Sequence, residues 1–427
     1  MGKTKKNPRF YLALVIFALV GQVAWVVENM YLNVFIYKMF HASAGAISAM
    51  VAASAATATV TTLLIGALSD KIGKRKAFIC GGYILWGISI LGFACIRQEW
   101  IAAAPLCVTL TILLDCVMTF FGSSANDAAF NAWLTDATDE SNRGAIEGIN
   151  SMMPLVAILV VFGGFMSLDQ DLQESWTVIF CAIGGIVLLL GVAGFFLVEE
   201  TAVKTEENAH YFANIFYGFR PSVIRANPGL YGTLAVLALY NISIQIFMPY
   251  LILYYTEYLA MDNYVLIFAP AIVVAAAFTG IYGKVFDRKG FQFAVLPTLA
   301  LLAVGYVGLY FFRGTALVFV ASMVMMCGFL GTGAMIGAQI RAHTPQKKAG
   351  MFQGLRIVGQ VLIPGVIGPA IGAAILANAD TVLNSDGTTS FVPNENIFLG
   401  ALIALVVTGV ALIPLFQLLR KERNDAR

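Results

Sequence analysis

Charge is scarce in this chain. Of its 427 residues only 12% are Asp, Glu, Lys or Arg, while 59% are hydrophobic, where a soluble globular domain carries about 25% charged residues. Water is therefore excluded as the main solvent of the folded chain. Histidine is scarcer still. His41, His210 and His343 sit at the ends of apolar runs or in the polar linker, and no Ser/His/Asp or metal constellation can be built from them, so catalysis is not expected. The six cysteines (Cys80, Cys95, Cys107, Cys116, Cys181, Cys327) lie inside apolar runs without paired spacing or a neighbouring histidine, which argues against a disulfide framework or a zinc site. They read as small core residues, and neither a metal nor a cofactor is expected. The basic stretch Lys3, Lys5, Lys6, Arg9 leads into an apolar run with no small-residue cleavage site, so that run reads as a retained helix and not as a signal peptide.

What fills the chain instead is a series of apolar runs of about 20 residues or more, each long enough to cross a hydrocarbon layer about 30 Å thick as a helix. Six span residues 10–37, 45–68, 77–96, 101–133, 146–166 and 175–198. Six more span 230–255, 264–285, 291–312, 316–340, 355–377 and 397–419. No soluble domain of useful size fits between them. The expected fold is all-α and integral to the membrane: twelve transmembrane helices in two six-helix bundles, 1–198 and 229–427, joined by a cytoplasmic linker, 199–228. Within the linker Tyr211, Phe212, Ile215, Phe216 and Phe219 fall along one helical face, the pattern of an interfacial helix lying on the membrane.

Cytoplasmic loops keep an excess of Lys and Arg. If the N-terminus is inside, the alternate segments hold 22 of the 26 basic residues, and the opposite set holds only Lys38, Arg97 and Arg313. Both termini are expected in the cytoplasm of a cell whose inner membrane holds the protein. The remaining cation, Arg356, begins span eleven, where snorkelling to the edge is the plainer reading.

Two loops repeat. Gly66-Ala67-Leu68-Ser69-Asp70-Lys71-Ile72-Gly73-Lys74-Arg75-Lys76 follows span two, and Gly283-Lys284-Val285-Phe286-Asp287-Arg288-Lys289-Gly290 follows span eight at a constant offset of 217. A second pair, Gly144 to Gly148 and Gly350 to Gly354, has an offset of 206. Both offsets lie near half the chain length, so duplication is the simple explanation. A merely basic loop accounts for Lys71, Lys74, Arg75 and Lys76 but not for Asp70, nor for its repetition at Asp287. Glycines there permit a tight reversal between helices. The motif resembles the signature of the major facilitator superfamily, whose two six-helix halves enclose a substrate cavity near the bilayer midplane. The resemblance implies that Asp70 faces the positive end of a helix of the other half and holds the cytoplasmic side shut, with Gly66, Lys71, Gly73, Arg75, Gly283, Asp287, Arg288 and Gly290 as the rest of the gate.

Ionisable and amide groups inside spans are costly in hydrocarbon and mark candidate sites. Span one carries Gln22, Trp25, Glu28, Asn29 and Asn33, within a sector of about 140° at 100° per residue. Span four carries Asp115, Thr119, Ser123, Asn126, Asp127, Asn131 and Trp133 on a broader face, with Asp115, Thr119, Asn126 and Trp133 near one line and Ser123 and Asp127 a step round from it. The second half offers Tyr240, Asn241, Gln245, Gln339, Arg356 and Gln360 and is nearly uncharged. Amides and carboxylates that bind hydroxyls, with an aromatic plane such as Trp25 or Trp133, suit a sugar. Amides that merely join helices are the alternative.

The stretch Asp127-Ala128-Ala129-Phe130-Asn131 through Thr138-Asp139-Glu140-Ser141-Asn142-Arg143, with Met30-Tyr31-Leu32 as a weaker match, resembles helix four of the glycoside, pentoside and hexuronide cation symporters, the melibiose-permease-like group. That resemblance nominates Asp127 for sugar binding near the coupling cation. The group's helix-one Asp aligns with Gln22, and its two sodium-binding carboxylates in helix two align with Ala58 and Thr62. Sodium needs several hard oxygen ligands, so a proton, carried by Glu28, Asp115 or Asp127, is the expected coupling ion; a carboxylate withdrawn from water suits that task. The expectation is a monomeric alternating-access carrier of a small polar solute, a sugar or glycoside, with the lipid bilayer as surroundings and no nucleic-acid partner. An exporter of amphipathic compounds or drugs, or a lipid-handling member of the same fold, is the alternative; the Gly-Pro motif of drug and proton antiporters is absent from Met152-Met153-Pro154, and the similar Gly365 to Pro369 lies in span eleven.

Overall fold

The computed structural model describes residues 8–101, 103–137, 143–200, 217–344, 354–384 and 387–425. Among them twelve helices are long and apolar enough to cross a membrane. They are α1 (Pro8–Phe40), α2 (Ala44–Ile72), α3 (Arg75–Phe93), α4 (Ala104–Ala137), α5 (Gly148–Phe165) and α6 (Gln173–Leu197), then α7 (Pro228–Tyr258), α8 (Tyr264–Lys289), α9 (Phe291–Phe311), α10 (Thr315–His343), α11 (Gly354–Leu376) and α12 (Asn396–Glu422). A chain in hydrocarbon must pair its backbone polar groups within each segment, which is why runs this apolar form helices. Leu189, Phe196, Ile281 and Phe311 stand exposed on the outer faces, where acyl chains replace water. Each span lies within a few residues of its expected place. The linker aromatics Tyr211, Phe212, Ile215 and Phe216 fall outside the described residues, and Phe219 belongs to a short 3₁₀ turn, Tyr217–Phe219. Not anticipated are a short helix, Gln98–Ile101, and an antiparallel hairpin pairing Thr381–Leu383 with Thr389–Phe391 between α11 and α12.

The described residues form two compact units, one drawn from 1–42 and 56–215 and the other from 43–55 and 216–427. Within the first, α1 packs on α5 and α6, and α3 on α4 and α6. Within the second, α7 packs on α11 and α12, and α9 on α10 and α12. These pairings correspond span for span, as duplication implies, whereas the extensive packing of α8 on α10 has no counterpart of similar size between α2 and α4 among the described residues. A buried tyrosine ties each set: Tyr83 on α3 donates to the Phe17 carbonyl of α1 at 2.9 Å, and Tyr306 on α9 meets the Ser243 hydroxyl of α7 at 3.2 Å. Residues 43–55, the start of α2, belong to the second unit, where Tyr250 donates to the Ala44 carbonyl at 3.1 Å. The units therefore do not divide the chain into two unbroken halves.

Four spans contain π-turns: Val27–Tyr31 in α1, Ser123–Phe130 in α4, Tyr254–Tyr258 in α7 and Val358–Leu362 in α11. Such turns are rare and gather at functional sites. Each adds a residue to a turn, so side chains beyond it rotate away from the face a regular wheel assigns them. Two of the four fall inside the polar stretches of α1 and α4.

Candidate transport sites in the two units

In the first unit the polar faces of α1 and α4 meet at one point. The Thr119 hydroxyl donates to Glu28 Oε1 at 2.9 Å, and Asp115, one turn away on α4, is close enough for its charge to interact with that of Glu28. All three are buried. Asp115 Oδ1 has no hydrogen-bond partner among the described residues, a costly state for a buried oxygen. Asp127 lies about three turns further along α4, half-buried, and accepts from Ser123 at 3.1 Å. The three nominated carboxylates therefore form a pair and a separate third group, not one cluster.

Other nominated residues serve the protein itself. Asn126 donates to Tyr83 Oη at 2.7 Å and accepts from Trp25 Nε1 at 3.4 Å, so both of its side-chain atoms join α1, α3 and α4. Gly21 makes this possible, because a Cβ there would collide with the Asn126 amide nitrogen. Trp133 requires a correction. Its indole is buried between Phe10 and Phe130, and its N–H donates to the Glu199 carbonyl at 2.9 Å, which leaves no open plane for a sugar. The π-turn at Ser123–Phe130 is the reason the straight line from Asp115 to Trp133 fails. Asn29 and Asn33 each donate to the carbonyl one turn back in α1, at 2.8 and 2.9 Å, and Asn131 donates to the carbonyls of Asn126 and Asp127. Trp25 is half-buried with its ring 4.9 Å from that of Trp86. Gln22, also half-buried, lies one turn before it.

The two repeated loops share a backbone but not a clamp. Gly73 (φ 70°) and Gly290 (φ 82°) occupy the same repeat position and both adopt positive φ, which demands glycine. Gly66 and Gly283 are not in close packing: a Cβ on either would meet no atom within 4 Å. In the first loop the buried Arg75 guanidinium binds Asp70 at 2.5 Å, Asp136 at the end of α4 at 3.0 Å and the Ser69 hydroxyl at 2.6 Å. Asp70 thus has an ion-pair partner inside its own unit. Lys71 is exposed, as are Asp287 and Arg288, which form no ion pair among the described residues, and the place of Arg75 is taken by exposed Gln292.

In the second unit a cavity of about 270 Å³ is lined by Tyr240 and Asn241 of α7, Phe329, Gly333 and Gly337 of α10, and Arg356 and Gln360 of α11, among others. Four of the six residues nominated there come together. Tyr240 donates to the Phe329 carbonyl at 2.6 Å, and Arg356 Nε donates to Gln360 Oε1 at 3.2 Å. The other two stand apart: Gln245 packs its backbone against Gly368, and the Gln339 amide contacts His343 at 3.3 Å. A larger hollow of about 640 Å³ on the flank of α9 and α12 contains none of the nominated residues.

Over residues 10–369 the sequence matches the Major Facilitator Superfamily. The chain belongs to that superfamily. It is a multi-pass membrane protein of the major facilitator fold and a transporter. Among solved structures it is similar to the nucleoside transporter NupG (13% identity, TM-score 0.73, 95% of this chain and 100% of that one). It is also similar to a bacterial homolog of the human lysosomal transporter Spinster in an inward-facing, occupied conformation (13%, 0.73, 97% and 98%), and to the xylose transporter XylE from E. coli (13%, 0.67, 94% and 98%). No curated protein matches the sequence as a relative. At such identities the structural likeness speaks to fold alone.

Proposed function

We propose that this facilitator moves a small polar solute, a sugar or glycoside, across the cytoplasmic membrane by alternating access of two duplicated halves, both termini facing the cytoplasm. Coupling to protons is part of this reading. The observation that carries it is the buried meeting of Glu28, Thr119 and Asp115 on α1 and α4. Uncompensated charge in a dry interior is costly, and a proton added to either carboxylate removes a charge, which gives the site a reason to exchange protons during a transport cycle. Support for a sugar comes from Asp127 with Ser123, from half-buried Gln22 and Trp25, and from the likeness of the α4 sequence to the glycoside cation symporters; the Asp70–Arg75 loop takes the role of gate.

The test is uptake of labelled sugars into proteoliposomes under an imposed proton gradient and then a sodium gradient. Proton-driven accumulation of a sugar, abolished in Asp127→Asn with folding intact, is the expected result. Flat traces for every sugar remove the sugar assignment, and accumulation driven by sodium alone removes the proton.

A further inference from the structure

The polar side chains on the walls of the second-unit cavity are Tyr240, Asn241, Arg356 and Gln360, set among apolar residues, and none of its lining residues is acidic. Arg356 spends Nε on Gln360, and its guanidinium has no acidic partner among the described residues. Asn241, on the same wall, holds its Nδ2 buried with no hydrogen-bond partner there. A second guanidinium stands at the rim. Arg341 Nη1 lies 3.9 Å from the position of a Cβ on Gly337, which lines the cavity, and Arg341 is near enough for its charge to be felt at Arg356. Two cations that repel each other beside an unsatisfied amide donor are an arrangement that an acceptor carrying negative charge relieves at a stroke. A guanidinium also presents its donors as a planar fork that fits carboxylate or phosphate oxygens two at a time. Arg356 is placed for this, since it sits on the span two residues before the π-turn Val358–Leu362. At about 270 Å³ the cavity falls below the roughly 300–1,000 Å³ of pockets that hold a whole ligand, which fits a subsite for one charged group.

We infer that this cavity is an anion subsite, in which Arg356, assisted by Asn241 and by Arg341 at the rim, binds the carboxylate or phosphate group of the transported solute. The inference rests on the transport reading above and narrows it: the solute carries a negative charge.

The experiment measures the melting temperature of the purified full chain in detergent at constant ionic strength, with glucose, gluconate, inorganic phosphate, phosphatidylcholine or phosphatidylglycerol added. A ligand that binds only the folded protein raises that temperature. Gluconate or phosphate is expected to raise it while glucose does not; gluconate alone assigns a carboxylate and phosphate alone a phosphate. The rise should disappear in Arg356→Gln, shrink in Arg341→Gln and, in a separate series at rising sodium chloride, weaken as screening grows. If Arg356→Gln does not fold, Arg341→Gln and the chloride series decide the question. Glucose stabilising as well as the anions, no stabilisation by either soluble anion, a rise confined to phosphatidylglycerol, or a rise that survives Arg356→Gln overturns the inference. Counterflow of the same solutes separates this outcome from failure of the transport reading. An anion that stabilises through Arg356 but never crosses the bilayer leaves the subsite and removes the transport role. A neutral sugar that is carried with Arg356→Gln unchanged leaves transport and removes the subsite.

Discussion

The first unit buries two carboxylates, Glu28 and Asp115, on two facing spans, whereas the second lines its cavity with a cation, amides and a tyrosine. Their spans pack in the same order and their loops turn at the same glycine. Duplication has preserved the frame, and the side chains on it have diverged into two chemistries. Carboxylates can gain and lose a proton, while a guanidinium remains charged throughout the ordinary pH range. The difference suggests a division of labour in which the first unit responds to the driving ion and the second reads the solute.

Substitutions in matched places test that division. The largest effect is expected at the carboxylates. Glu28→Gln or Asp115→Asn should lower proton-driven accumulation about a hundredfold, equivalent to about 2.7 kcal/mol, while counterflow continues. Gln360→Ala in the second unit should change apparent affinity and leave the accumulation ratio alone. Uptake assays at equal expression would show whether the units divide in this way, and undiminished accumulation in Glu28→Gln ends the comparison.

A smaller effect separates the two loops. Breaking a buried ion pair by removing one partner costs about 3–5 kcal/mol; Asp70 retains 45% side-chain exposure, so Arg75→Gln should cost less, about 2 kcal/mol. Gln292→Ala, at the repeat position, should stay within about 0.5 kcal/mol. Denaturation in detergent measures both, and equal costs would mean that the loops are clamped alike. An effect no larger than the loss of Arg75, and one the units should share, lies at the glycines: Gly73→Ala and Gly290→Ala should each cost about 1–2 kcal/mol of backbone strain. A cost at one and none at the other would show that the shared turn is not under equal constraint.

Much of the architecture could be read from the sequence, because a run of apolar residues long enough to span a bilayer has few other ways to fold and the Asp70 loop repeats at Asp287. The faces were less legible. A wheel turned at 100° per residue put Asp115, Asn126 and Trp133 on one line, and the π-turn at Ser123–Phe130 distributes them among Glu28, Tyr83 and Glu199. Arg356 read as a snorkelling cation because sequence position gives depth but not neighbours; its cavity needs Gly333 and Gly337, small residues on another span that carry no signal of their own. Arg341 was counted among the loop cations for the same reason. The place of residues 43–55 in the second unit, where Ala44 meets the Tyr250 hydroxyl and Ala55 packs on Gly365, is announced by nothing in the local sequence.

The backbone at Gly73 and Gly290 has a handedness that natural side chains oppose. With φ at 70° and 82°, both positions are mirror images of ordinary extended or helical geometry. A D-alanine installed by chemical ligation would fit there without strain, and by restricting the unfolded chain it would make the turn firmer than glycine does. Each turn therefore keeps its shape at the expense of chain entropy, and chirality alone decides which methyl group it accepts.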